Sequence, residues 1–382
     1  MTETDPGAPP LAGLRVVEFA GIGPGPFAGM MLADMGAEVL RVERAGEMRP
    51  GAATDVLARG RRSVALDLKT DAGRAAALAL IDRADAMMEG YRPGVMERLG
   101  LGPDICRARN PRLVYGRMTG WGQTGPAAAA AGHDLNYIAL SGALWAMGDA
   151  DRPPPVPLNI VGDFGGGGML LAFGMVTALL KAARTGRGDV VDAAICDGTA
   201  VLMAMTFSMR AAGLWSDRRG DNKLDGGAPW YGVYRCADDG WITIGALEPK
   251  FWDLLLERLG LDPARLGDRD RREDWPRMRR ILAETFAGRP RAHWQALLEN
   301  TDVCFAPVLS PMEAPDHPHN RVRGIFVTRD GVVQPAPAPR FAEARTPLPA
   351  PPPVPGADTA TALADWGLDP ALLAQLGFSK TG

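Results

Sequence analysis

"LRVVEFAGIGPGPFAGMMLADMGAEVLRVER" (residues 14–44) decides the fold class. "LRVVEFA" (14–20) is a short apolar run with the length and β-branched content of a buried strand. "GIGPGP" follows as a turn, and "FAGMMLADMGA" spaces its apolar residues as a helix does, closing near Gly36. "EVLRVER" (38–44) predicts a second strand. Strand, helix and strand joined by short turns make a βαβ unit, which requires a parallel sheet. The rhythm continues: "SVALDLK" (63–69) predicts a strand, "DAGRAAALALIDRADAMME" (71–89) a helix opened by Asp71, and "RLVYGRMTGWG" (112–122) a strand running into a loop. The N-terminal half therefore reads as a doubly wound, Rossmann-like α/β domain.

The pattern changes near residue 215. "WSDRRGDNKLDGGAP" (215–229) is polar and Gly-rich and predicts a linker over 216–224. "WYGVYRCADDGWITIGAL" (230–247) predicts an antiparallel pair with its turn at Asp238–Gly240. "KFWDLLLERLGL" (250–261) and "HWQALLEN" (293–300) have helical spacing, so a smaller α+β domain is expected over 225–320, followed by a link at 321–324. "VQPAPAPRFAEARTPLPAPPPVPGA" (333–357) predicts an extended surface segment, and "TATALADWGLDPALLAQLGF" (359–378) a terminal helix pair.

Composition bounds the function. A chain of 382 residues has room for two domains, and 46% hydrophobic with 23% charged residues is ordinary for a soluble protein. A formal net charge of -3 argues against nucleic-acid binding but leaves room for a local basic pocket. Cys106, Cys196, Cys236 and Cys304 form no CxxC pair, so neither a zinc knuckle nor a disulfide framework is indicated; thiols in a reducing cytoplasm are expected. "MTETDPGAPP" is not a signal peptide, and "GGGGMLLAFGMVTALLKAA" (165–183) reads as a buried helix rather than a membrane span.

Five features could carry chemistry. Gly23-x-Gly25-x-x-Ala28 opens a helix after a strand, and Glu43 ends the next strand, which is the GxGxxA dinucleotide fingerprint. That motif discriminates loosely, and a tight turn stiffened by Pro24 and Pro26 explains it without a ligand. Basic residues gather near the first strands: Arg41, Arg44, Arg59, Arg61, Arg62 and Lys69, then Arg92 and Arg98. Arg44 and Lys69, at two strand ends, could face a phosphate; a solvated rim is the simpler reading of any single arginine. In "VGDFGGGGML" (161–170), Asp163 either caps a helix or is an active carboxylate beside bare glycine amides. In "GALEPKFW" (245–252), Glu248 is either a helix-start acid or the partner that orients a histidine. His133 in "GHDLNYIALSG" (132–142) is, taken alone, more often a packing residue than a base. Spacing does not show that residues 133, 163 and 248 meet.

Over nearly its whole length the chain resembles the class III CoA-transferase (CaiB/BaiF) superfamily. The motifs that carry the resemblance run in order: residues 11–44, "RGRRSVALDLKT", "MEGYRPGVMERLGLGP", "RMTGWGQTGP", "GHDLNYIALSG", "GDFGGGGM", "GRGDVVDAAICDG" and "CFAPVL". His133 and the absence of a separate mobile Gly-rich loop, where this chain reads "LDGGAPWYG", make it similar to the α-methylacyl-CoA racemase branch. "GEMRPGAATDVLA" (46–58) matches no firm pattern, and Asp189 stands where glutamine is common.

The resemblance implies a large CoA-binding domain built from both chain ends (1–215 with 325–382), an inserted small domain, and two interlocked subunits. The early GxGPGP turn then belongs to a CoA-binding sheet rather than an NAD site. It implies a racemase that interconverts the (2R) and (2S) forms of 2-methyl-branched acyl-CoA thioesters, with His133 and Asp163 as acid–base pair and Glu248 as partner of His133, in cis or in trans. The alternative is an acyl-CoA:carboxylate CoA-transferase with Asp163 as nucleophile. The same carry-over puts Arg44 on the CoA phosphates and Leu66, Asp67, Leu68 and Lys69 along the adenosine. Gly90, Tyr91, Arg92 and Arg98 would hold the nucleotide and pyrophosphate. Gly132, Asp134, Leu135, Asn136 and Tyr137 would flank the pantetheine and thioester. No metal or cofactor is implied, CoA being part of the substrate. Met169, Met203, Met205 and Met209 could line an adaptable acyl surface, or pack a core.

Overall fold

The computed structural model describes residues 5, 7–46 and 52–378. "MTET" at the start, and residues 47–51 of the stretch that matched no pattern, lie outside the described residues. Two compact units divide the chain. The first comprises the chain through Ser141, Pro157–Met203 and the chain from Ile325; the second comprises Gly142–Val156 and Ala204–Gly324. Residues 142–156 and 204–215, expected in the large domain, therefore group with the second unit.

The first unit opens as the sequence predicts: β1 Arg15–Phe19, α1 Pro24–Asp34, β2 Glu38–Arg44. β3 is Arg61–Leu66, two residues earlier than expected, because Asp67 accepts the Lys69 N–H at 3.0 Å and turns the chain. α2 (Asp71–Ile81) is capped by Thr70, not opened by Asp71 alone, and accounts for only half of the predicted helix. The other half is a turn and β4, Ala86–Glu89. The alanine- and methionine-rich composition favours a helix, but Met87 and Met88 are buried in the middle of the sheet, and tertiary burial overrides local propensity. α3 (Val95–Arg98) and α4 (Pro103–Arg109) lead to β5, Val114–Thr119. α5 is Asp134–Leu140. After the excursion into the second unit the chain returns as a π-helix, Ile160–Gly168, continuous with α6, Met169–Thr185. β6 (Val190–Ala194) and α7 (Ile195–Leu202) follow.

The six strands form one parallel sheet in the order β3-β2-β1-β4-β5-β6, so this is a mixed α/β fold. The π-helix and α6 together are long and apolar enough to span a bilayer, yet Leu171 and Met175 are fully buried against the sheet's core.

The second unit contains α8 (Ala204–Ala211), a three-stranded antiparallel sheet and the helices that cover it. β7 (Tyr231–Arg235) and β8 (Trp241–Gly245) form the predicted hairpin, followed by α9 (Pro249–Leu259), α10 (Pro263–Leu266), α11 (Trp275–Ala287) and α12 (Arg291–Leu298). β9 (Phe305–Val308) completes the sheet, and α13 is Pro318–Arg323. The stretch 216–224 is not a linker. Asn222 is buried, accepts the Ser216 N–H at 2.8 Å and donates to Asp225 at 2.7 Å, while the amides of Gly220, Asn222 and Gly227 also bond Asp225. A Gly- and Asp-rich composition suits a flexible linker and a knotted polar loop equally, and these bonds make it the latter.

The chain then returns to the first unit through the β10 (Phe326–Arg329) and β11 (Val332–Pro335) hairpin and ends in α14 (Thr359–Asp365) and α15 (Pro370–Gln375). The edge strand β3 explains why the end comes back. The Ser63 N–H donates to Asp358 at 2.8 Å and the Ala65 N–H to Thr359 Oγ1 at 3.0 Å, which covers a row of otherwise bare edge amides.

Under the first three strands lies a buried ionic network. Glu18 bonds Arg41 at 2.7 Å and Arg61 at 2.9 Å; Arg41 bonds Glu43 at 3.0 Å; Ser63 donates to Glu43 at 2.6 Å. Glu18, Arg41, Glu43 and Arg61 are all buried. Removing one charge strands its partners in a medium that solvates them poorly. Glu18→Gln is expected to cost about 3–5 kcal/mol, seen as a fall in the urea midpoint with the m-value unchanged. A variant as stable as wild type would show that the network is not a structural constraint.

Candidate active site

The carboxyl ends of β1, β4 and β5 meet the Gly21–Pro26 turn, the start of α5 and the π-helix around a cavity of about 200 Å³. It sits where the strand order reverses between β1 and β4, the place where open α/β sheets bind ligands. A second cavity of about 440 Å³ shares its Gly90, Thr119, Gly132, His133 and Tyr137 wall and extends past Tyr91, Arg92 and Trp121.

His133 is the N-cap residue of α5, with extended backbone and a side chain that lines both cavities. Its N–H donates to Asn136 Oδ1 at 3.0 Å, so the asparagine fixes the backbone that presents the imidazole to the cavity. Asp163 reaches the same cavity from the π-helix. Its N–H donates to Asp134 Oδ1 at 2.6 Å, which ties the two segments together one residue from His133 and at Asp163 itself. A Cβ on Gly162 would lie 2.3 Å from that Asp134 oxygen, so only glycine permits the approach. Gly23, at φ +72°, is strained for any other residue, and a Cβ there would lie 3.1 Å from Asp163 Oδ2.

The glycine run has a different purpose from either sequence reading. Asp163 does not cap a helix; it lies inside a π-helical run. The run's amides are not bare: the Phe164 N–H bonds the Asn159 carbonyl and the Met169 N–H bonds that of Phe164, the i−5 pattern of a π-helix. Side chains there would collide with packed neighbours. A Cβ on Gly166 would meet Thr199 on α7 at 2.4 Å, and one on Gly168 would meet Phe27 on α1 at 2.7 Å. From the other side, a Cβ on Gly198 would lie 1.8 Å from the Gly166 carbonyl oxygen. The glycines let the π-helix thread between α1 and α7, and Phe164 stacks on Phe27 at 4.7 Å.

Burial, reinforced by the Asp134 charge, raises the Asp163 carboxyl above its ordinary value; Asn159 and His133 oppose the shift. Burial and the Asp163 charge also push the Tyr137 hydroxyl upward, so it stays a neutral donor, bonded to the Gly132 carbonyl. Its ring meets Trp121 edge-on at 4.6 Å. Among the described residues no group of three or more His, Cys, Asp or Glu could hold a metal ion.

Of the residues singled out in the sequence, Gly90, Tyr91, Arg92, Gly132, His133, Asp134, Asn136, Tyr137 and Asp163 line one or both cavities. Arg44, Asp67, Lys69, Arg98 and Leu135 line neither; Leu66 is buried in the core, with Leu68 packed on it. Glu248 belongs to the second unit, exposed at the start of α9. Arg41, Arg59 and Arg61 are no phosphate sites: all three are buried in ion pairs. Sequence reading missed Glu18 and Glu89, which line the first cavity, and Trp121, which lines the second. An acid inside an apolar strand was the available signal for Glu18 and Glu89.

Residues 11–359 match CoA-transferase family III, and the chain belongs to that family. It is 44% identical to mouse alpha-methylacyl-CoA racemase over 96% of each chain. It is 45% identical to the human alpha-methylacyl-CoA racemase over 86% of each. Its fold is similar to the crystal structure of a CaiB/BaiF family protein from Brucella suis, with a TM-score of 0.81 and 26% identity over 94% of this chain and 100% of that one.

The raised Asp163 carboxyl has a consequence for stability. Folding binds a proton there at pH values between the ordinary and the raised pKa. Above the raised value the fold carries a half-buried carboxylate that the unfolded chain keeps in water. This group's favourable contribution is therefore present at low pH and lost as pH rises. Asp163→Asn is expected to melt above the wild type at pH 8, with the difference closing toward about pH 4. A variant that melts lower at pH 8 would contradict the assignment.

Proposed function

We propose that the protein interconverts the (2R) and (2S) forms of 2-methyl-branched acyl-CoA thioesters. The observation that carries this reading is one cavity holding both an accessible histidine and a carboxyl group biased toward its protonated form. The high identity to two racemases over most of their length supports it.

Inversion needs a base on one face of the α-carbon and an acid on the other. In one direction neutral His133 takes the α-proton, and the C–H electron pair moves into the thioester to form an enolate. Protonated Asp163 then delivers its proton to the opposite face. In the other direction the Asp163 carboxylate is the base and the His133 imidazolium the acid. Positioned proton transfer of this kind contributes roughly 10²–10⁴-fold. The Asp163 N–H is taken by the Asp134 carboxylate and the Phe164 N–H by the Asn159 carbonyl, so neither carries the enolate oxygen. The first turn of α1 brings the positive end of a helix to the cavity wall, with Gly25 as its amide donor between two prolines. The reaction draws on the acidity that the thioester itself confers, so CoA enters only as part of the substrate.

The second cavity receives the pantetheine along Gly132, Asn136 and Tyr137, and the pyrophosphate near Tyr91 and Arg92. Arg44, Asp67, Lys69 and Arg98 supply the outer nucleotide contacts. Glu248, of the same subunit or of its partner, orients His133, as carboxylates do in other acid–base sites. The protein acts as an interlocked homodimer. Met169, Phe173, Val176 and Leu180 are all exposed and recur at spacings of four, three and four on α6, a stripe suited to a second copy. Met205 is 58% exposed and no residue of α8 is buried, so core packing does not explain this methionine; an acyl tail does.

A single epimer of a 2-methylacyl-CoA incubated in D₂O tests the reading. Deuterium at the α-carbon together with both epimers is expected. An α-proton retained while CoA passes to an added carboxylic acid would make the protein a transferase with Asp163 as nucleophile. His133→Ala should lower exchange by at least about 10²-fold while CoA binding persists, and unchanged exchange would remove His133 from the mechanism.

A further inference from the structure

In the second unit, Arg269 occupies an unusual setting. Its guanidinium carbon lies 4.5 Å from the ring centre of Trp230 and 5.7 Å from that of Trp252. Its Nη2 donates to two successive carbonyls, Leu247 at 2.6 Å and Ala246 at 3.3 Å. Its own carbonyl accepts the Trp275 indole N–H at 2.9 Å, and Trp275 meets Trp230 edge-on at 5.3 Å. Its Nη1 is buried without a hydrogen-bond partner. A guanidinium is expensive to hold this way, and burial pulls its pKa below the ordinary value. The charges acting on it are those of Asp270, Asp253 and Glu248.

The two carbonyls lie immediately before Glu248 in the chain, which gives their pinning its importance. β8 ends at Gly245, Ala246 is fully buried, and Glu248 is the first residue before α9. Glu248 makes no capping bond to its own helix, so its side chain is left available. The remaining groups facing it are the thiol of Cys304 and, beside that, Asp302. The peptide that sets the direction of the Glu248 side chain is therefore pinned from behind by a single guanidinium nitrogen, held in place by the contacts of the guanidinium with the Trp230 and Trp252 rings.

We infer that Arg269 is a positioning residue for Glu248: it fixes the strand-to-helix corner at 246–247 and so aims the carboxylate that orients His133. This rests on the reading of Glu248 as the partner of His133. Arg269 does not touch substrate; its effect reaches the reaction through Glu248 alone. A lysine reproduces it only in part, because an ammonium can donate to the carbonyls but lacks the flat guanidinium face that packs on the indole rings.

The test compares Arg269→Met, Arg269→Lys, Glu248→Gln and the double variant Arg269→Met/Glu248→Gln in the full-length protein. Each is followed by α-deuterium exchange of a 2-methylacyl-CoA across the pH range and by thermal melting. Arg269→Met is expected to lower kcat by about 10- to 100-fold with a much smaller change in KM. Its kcat–pH profile should match that of Glu248→Gln, because both changes act through the same carboxylate. Arg269→Lys should fall between. The double variant should be no slower than Glu248→Gln, since both changes remove one effect. If Glu248→Gln is impaired while Arg269→Met keeps the wild-type rate and profile, the inference is wrong and the role of Glu248 stands. Losses that multiply in the double variant would also overturn it, by showing that Arg269 acts elsewhere. An unimpaired Glu248→Gln overturns the reading of Glu248 and the inference with it. Should Arg269→Met melt below the assay temperature, Arg269→Lys decides: a wild-type rate and profile there rules the inference out.

Discussion

Glu18 is a carboxylate almost wholly removed from water, held between two guanidinium groups that are equally buried. No one of these ions could be buried alone, because each loses several kcal/mol of solvation that only the others return. Burial pulls the Arg61 guanidinium down, and the Glu18 charge pushes it back. The group of Glu18, Arg41, Glu43 and Arg61 is neutral in sum and spans β1, β2 and β3, so it forms only when those strands are in register. Its spare donors then reach into the loops. Arg41 bonds the Gly21 carbonyl and Arg61 that of Pro26, the two ends of the turn that floors the first cavity. Gly29 in α1 makes room for this, since a Cβ there would lie 2.5 Å from Glu18 and 2.6 Å from Arg61. The floor of the site is thus an outgrowth of the ionic network beneath the sheet.

The opposite wall depends on backbone proximity. The π-helix passes so close to α1 and α7 that glycine is required on both sides of the contact, at Gly166 and Gly168 and again at Gly198. One widened helical run places Asp163 at the cavity while its own amides stay bonded. The carboxylate of Asp134 then does two things. It accepts the Asp163 N–H, fixing α5 to the π-helix, and its charge adds to the burial that raises the Asp163 carboxyl above its ordinary value. A residue that reads in sequence as a neighbour of His133 acts, in space, on Asp163.

Much of the fold was legible. Residues 14–44 gave strand, turn, helix and strand almost to the residue, because apolar periodicity, two glycines and two prolines all agreed there. The hairpin at Asp238–Gly240 and the terminal helix pair were legible for the same reason. Residues 82–89 were not, because alanine and methionine favour a helix while the sheet needs a central strand there. Arg41, Arg59 and Arg61, legible only as part of a basic cluster near the first strands, lie in buried ion pairs, since an arginine near a strand end looks alike whether it faces water, a ligand or a buried acid.

Sequence by itself determined the parallel sheet, the two-part organisation and the residue types that the chemistry needs, through periodicity, turn residues and ordered motifs. Those signals are local, each written within a few residues. Tertiary structure alone decided that residues 133 and 163, thirty positions apart, share one cavity, that the glycine run is a packing device, and that three arginines belong to the interior. Each of these turns on distance and burial between segments remote in the chain, and electrostatics and packing at close range depend on position in space, which spacing along the sequence does not encode.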